Sequence, residues 1–146
     1  MPNYSIVATG STGTNTGIAQ LKSTVDQARI GIYDVVVGSA ATPADQATNF
    51  VIARFTSAGT GAALTTGLLD QFSVTATATG RAMLTTEPET LTSLMIIPLN
   101  QRASFRWVAS PGGELASRGS PSTGLELRSQ TATAAYLAAA TILWVE

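Results

Sequence analysis

Apolar residues recur along this chain with a period of two, in short runs separated by Gly, Pro, Ser and Thr. Alternation of that kind marks half-buried β-strands. Residues 4–8 form a first short run, closed by the turn-rich stretch 9–17. Residues 18–25 are ambiguous between strand and short helix. RIGIYDVVV, residues 29–37, reads as a strong strand ended by Gly38. Thr42 followed by Pro43 is a helix-start signal, which predicts at most a short helix near 43–47. NFVIARFTS (49–57) places Phe50, Ile52 and Arg54 on one face and Val51, Ala53 and Phe55 on the other. FSVTATAT (72–79) predicts a strand with one hydroxyl face, and 81–86 a further short strand or extended loop closed by Glu87 and Pro88. Residues 63–70 carry no clear signal.

The second half continues the pattern. Residues 90–99 predict a strand, joined through Asn100 and Gln101 to another at 103–108, close enough for a hairpin. Residues 110–123, dense in Pro, Gly and Ser, predict the longest loop. A short strand follows at 124–128. In 134–145 the Ala-rich AAYLAAA favours helix and ATILWV favours strand; a strand that completes a sandwich fits the preceding elements better. The whole predicts an all-β, single-domain β-sandwich or jelly roll of about eight strands. Residues 1–17 read as a flexible N-terminal arm and 18–146 as the β domain.

Composition narrows the chemistry. The chain has 146 residues, no Cys and no His. Ser-His-Asp triads, Cys nucleophiles and Cys/His zinc sites are excluded within one chain. Net charge is −1, so no long-range field would draw in nucleic acid or an anionic membrane. Charged residues make up only 12%, against about 25% in ordinary domains; such a surface suits burial in an assembly. The longest apolar stretch, 132–145, is shorter than the ~20 residues that span a bilayer, and the start lacks the pattern of a signal peptide. Neither a membrane nor a nucleic-acid partner is expected, and no cofactor.

Individual motifs add little catalytic promise. GSTGTNTG (10–17) lacks the Lys of a phosphate-binding loop, since Ile18 follows. Glu87 and Glu89 flank Pro88 and would share a side in extended chain, but read as solvated loop carboxylates rather than an acid/base pair. Asp26, Asp34, Asp45 and Asp70 are too scattered for a calcium loop. Phe105, Trp107, Tyr136 and Trp144 read as core aromatics. Lys22 is the one lysine; every other basic residue is Arg, the cation enriched in protein interfaces. In NQRASFRWV (100–108), Arg102, Ser104, Arg106 and Val108 fall on one strand face and Ala103, Phe105 and Trp107 on the other. That arrangement suggests an arginine face covered by another molecule. The interface candidates are Arg102, Arg106, Arg54, Arg118, Arg128 and Glu87.

ATPAD (41–45), TTEP (85–88), NQRASFRWV (100–108) and PGGEL (111–115) occur in that order. Together they resemble the capsid decoration, or cement, proteins encoded beside the head genes of tailed bacteriophages. The resemblance covers most of residues 4–146. It implies a jelly-roll module without catalytic residues, made in the bacterial cytoplasm and bound to the outer surface of the virion. There it would act as a homotrimer that clamps neighbouring major capsid protein subunits. The alternatives are another virion component (a head fibre base, vertex or tail module) and a carbohydrate-binding β-sandwich.

Overall fold

The computed structural model describes residues 1–26, 28–89, 91–131 and 135–146. The first residues of the strands expected over 90–99 and 134–145 lie outside them. Twelve strands follow in order: β1 (Asn3–Thr12), β2 (Thr16–Ser23), β3 (Ala28–Ala41), β4 (Ala47–Phe55), β5 (Thr60–Leu64), β6 (Gly67–Leu68), β7 (Ala78–Thr86), β8 (Thr92–Asn100), β9 (Ser104–Val108), β10 (Leu115–Gly119), β11 (Gly124–Thr131) and β12 (Tyr136–Val145).

They form two antiparallel sheets. Sheet A runs β10–β3–β12–β1–β6, with β9 also pairing β3; sheet B runs β5–β7–β2–β11–β4–β8. Within them, β1–β12–β3–β9 faces β2–β11–β4–β8, which is the jelly-roll arrangement of two four-stranded sheets. The additions are β5, β6 and β7, inserted between β4 and β8, and β10, which continues the β9 edge of β3.

Strand chemistry explains the layers. β12 alternates without exception, burying Tyr136, Ala138, Ala140, Ile142 and Trp144. Opposite it, β1 buries Tyr4, Ile6 and Ala8, and β3 buries Ile30, Ile32, Val35 and Val37. Sheet B contributes Ile18, Leu21, Phe50, Ile52, Leu125 and Leu127 to the same core. Tyr4 stacks on Trp144 at 5.5 Å between centroids, and Phe50 meets Tyr136 edge-on at 6.4 Å.

Several expectations are corrected. Residues 3–12 are not an arm: their alternating Tyr4, Ile6 and Ala8 pair with β12 over the full length of β1. No helix forms near 43–47. Thr42 has φ 55°, a left-handed turn rather than a helix cap, and the chain passes straight into β4. Residues 72–77 are not strand; Asp70 nucleates a turn there by accepting from the Phe72 and Ser73 amides. The expected loop 110–123 contains β10, which covers the edge of β3. β8 and β9 are no hairpin, because β8 pairs β4 in one sheet and β9 pairs β3 in the other.

Gly124 is the tightest point of sheet B. It pairs with Lys22 on one side and Phe55 on the other. A Cβ there would lie 2.0 Å from the Leu21 carbonyl oxygen and 2.8 Å from the Phe55 ring. Backbone cannot yield as a flexible side chain does, so Gly124→Ala should cost about 3 kcal/mol, read as a lowered urea midpoint with an unchanged slope.

Candidate functional site

The turn between β8 and β9 shows what the NQR sequence does locally. Asn100 accepts from the Arg102 amide and donates to Asp45. Gln101 is 1% exposed. Its amide donates to Gln46 O, its side-chain oxygen accepts from Ala44 N, and its carbonyl accepts from Ser39 Oγ. The buried glutamine therefore pins the β3–β4 loop where the chain crosses from sheet B to sheet A.

The arginines that follow do not form one free face. Arg102 sits in the turn, 3.8 Å from Asp45, with both side chains solvated. Arg106 lies within β9 and makes a two-point contact with Asp34: Nε to Oδ1 at 3.1 Å and Nη2 to Oδ2 at 2.6 Å. The Asp34 side chain is 6% exposed, so Arg106 satisfies an internal carboxylate. Phe105 is not a core residue but 41% exposed, whereas Trp107 is half-buried against the core. The reason is position: β9 lies at the sheet edge, so its inward side chains are only partly roofed.

Glu87 and Glu126 converge on Gly17 at the outer face of sheet B, with Arg128 close by. Glu87 does not pair with Glu89, whose backbone bridges to Ser57. Both Glu87 oxygens accept from Gly17 N at 3.0 Å. Glu126, on β11, is fully buried and points to the same place. Its Oε1 lies 2.6 Å, and Glu87 Oε2 2.8 Å, from where a Cβ on Gly17 would stand. A Cβ at this position would displace both carboxyl groups and the end of Leu84. Arg128 reaches Glu126 only at 4.0 Å and donates instead to Asn15 O at 3.0 Å. Neither Glu126 oxygen has a hydrogen-bond partner among the described residues.

This face is buried because the chain covers it. Gln20, fully buried, exchanges two hydrogen bonds with Gly59. Thr56, Ser57 and Glu89 link the β4–β5 and β7–β8 segments into one flap. Sequence reasoning missed Glu126 and Gln20; polar residues inside strands read as solvent-facing, and only the flap reverses that.

Two further features were not anticipated together. Arg54 and Arg118 join Arg29 around a hollow where β10 approaches β4. The β6–β7 segment displays Leu69, Phe72 and Val74 at 51%, 97% and 70% exposure. Tyr4 Oη ties its base by donating to Val74 O at 3.0 Å.

Among the described residues, no group of three or more His, Cys, Asp or Glu is placed to hold a metal, and no helix is long and apolar enough to cross a membrane. No protein-family model and no curated protein matches the chain.

Burial, opposed by Arg128 and reinforced by the neighbouring Glu87 carboxyl, pushes Glu126 up to about 8. An unfolded glutamate titrates near about 4.3. The folded chain therefore keeps a proton that the unfolded chain releases, and stability falls as pH rises from about 4.3 to about 8. Glu126→Gln should flatten that decline, matching the parent below pH ~4 and exceeding it above pH ~8, as read from urea midpoints across the range.

Proposed function

We propose that this chain is a virion structural protein that decorates a phage capsid and clamps neighbouring coat subunits, as a homotrimer on the outer shell surface. The observation that carries this reading is the distribution of exposed apolar side chains. Val7, Val36 and Val108 stand on the outer face of sheet A at 61%, 38% and 55% exposure, and Phe72 projects from the β6–β7 tip. Around Val7 and Val36 the face is lined by Ala139, Thr141, Gly38 and Ser104, all small. Val7 and Val36 flank Thr141 in the ladder, so the apolar surface is contiguous there and suits a covering partner.

A clamp needs area and shape complementarity rather than a nucleophile. A smooth face of short side chains lets another backbone approach closely, and an aromatic tip supplies the kind of anchor that dominates interface energetics. Rotational symmetry would use the same modest contact several times. The jelly roll itself hosts capsid, lectin and enzyme functions alike and does not choose among them. The choice rests on the exposed apolar set and on the order of the ATPAD, TTEP, NQRASFRWV and PGGEL elements.

Quantitative mass spectrometry of purified particles tests the assignment. A fixed high ratio of this chain to the major head protein is the expected result; its absence from particles would overturn the reading. Phe72→Ser should leave the unfolding temperature within about 2 °C of the parent, because the side chain contacts little. It should lower occupancy on shells prepared without the protein by roughly tenfold or more, as expected of an aromatic anchor.

A further inference from the structure

We propose that Arg29, Arg54 and Arg118 form a docking pocket for an acidic segment of a protein partner, whose carboxylates take the guanidinium nitrogens that Glu114 leaves unmatched. The proposal deepens the reading of this chain as a module that docks on another protein.

The three arginines come from different elements and converge on one hollow of about 300 Å³. Arg29 on β3 and Arg118 on β10 are directly opposite each other in the antiparallel ladder. Like charges in that position repel and weaken a strand pair. Arg54 arrives from the other sheet: its Nε donates to Ala116 O of β10 at 2.7 Å. That bond fixes the stem and leaves both terminal nitrogens without a protein partner among the described residues.

Compensation is incomplete. Glu114 lies 3.2 Å from Arg29 Nη2 and is the one carboxylate within ion-pairing distance of the three, among the described residues. The Arg118 guanidinium has no hydrogen bond or ion pair there. Arg106 is matched by Asp34, and Arg81 and Arg128 donate to the carbonyls of Gly61 and Asn15. A like-charged cross-strand pair beside a third, half-used guanidinium is therefore an exception within this chain.

The chemistry of the occupant follows. Guanidinium forks match carboxylates in two-point geometry, and the hollow carries about two uncompensated positive charges. All three side chains are exposed. A small free anion would be held weakly in so open a site, whereas a segment with several carboxylates gains from occupying the forks together. Nucleic acid needs a longer basic track than one cluster on a chain of net charge −1.

The test uses the whole chain with an oligoglutamate peptide as probe, followed by NMR of the arginine Nε–H groups at low salt. The expected result is a saturable shift at Arg29, Arg54 and Arg118 that weakens as salt rises. Arg118→Gln should weaken peptide binding roughly tenfold or more while raising the urea midpoint of the free protein, since it relieves the repulsion with Arg29. Lys22→Gln, on the other sheet, should leave peptide binding unchanged. Absence of shifts at these arginines would overturn the proposal. So would tighter occupation by inorganic phosphate, which would make the hollow a free-anion site, or by duplex DNA, or a loss of stability in Arg118→Gln. Peptide binding is read on the isolated protein, so its failure leaves the particle copy number to be judged separately. Equally, absence from particles would leave a positive peptide result intact.

Discussion

The register of β12 between β1 and β3 is the constraint on which this sandwich depends. β12 is paired along both edges, and its own inward side chains are buried in the shared core. A slip of one residue in a strand exchanges its two faces. Here hydrophobicity alone would not forbid the slip, because Leu137, Ala139 and Leu143 on the outer face are as apolar as the residues inside. The aromatic ends decide it. Trp144 Nε1 donates to Glu146, whose carboxylate also binds the amides of Thr77 and Ala78 at the start of β7. At the other end the Tyr136 hydroxyl meets Thr48. Each contact satisfies a polar atom that a slipped strand would leave buried and unpaired. Between them, Ala138 and Ala140 leave room for the larger side chains of the facing sheet.

Strand existence was legible where alternation was strong. RIGIYDVVV, NFVIARF and the closing ATILWV each pointed to a strand of the jelly roll. The class followed from their spacing; β5, β6 and β10 are additions in segments that read as turn, unclear chain or loop, and β7 in one that read as strand up to 79 and as short strand or extended loop over 81–86. What failed was the assignment of partners and environments. Phe105 has the alternation of a core residue, but edge position is set by pairing across the whole chain, which a local pattern does not carry. Residues 3–12 are Thr- and Gly-rich toward their end and so read as an arm; their three inward apolar residues become decisive only beside β12. Glu87 was legible as a candidate, and its neighbour Glu126 was not, because a flap from two distant loops removes it from water.

The arginines divide by their degree of internal use. Asp34 is buried on the outer side of sheet A and is balanced by Arg106, whose charge stays partly in water. Removing one member of such a pair leaves the other without compensation, so the arginine face suggested by alternation is in part structural. Arg102, paired loosely at the surface, adds little to folding. The guanidinium groups left unmatched among the described residues stand together at the junction of β10 with β4.

The two sheets also differ in what they leave open. On sheet B, the flap of the β4–β5 and β7–β8 segments covers Gln20, Glu126 and the outward Val51, Ala53 and Phe55, all at 1% exposure or less. Among the described residues, no such flap lies over Val7 and Val36 on sheet A. A sandwich buries its inner faces by construction, and an outer face ordinarily stays polar. Here the outer face of sheet B carries Gln20 and Glu126 under its own chain, with Ile96 53% exposed at its β8 edge, while the outer face of sheet A sets the Asp34–Arg106 pair beside the exposed Val7, Val36 and Val108. The insertion between β4 and β8 accounts for both ends of this asymmetry. β5 and β7 extend sheet B, the adjoining segments cover it, and β6 leads into the exposed Leu69–Phe72–Val74 tip beside β1. The same added segment thus covers part of sheet B and presents apolar surface at the β1 edge of sheet A.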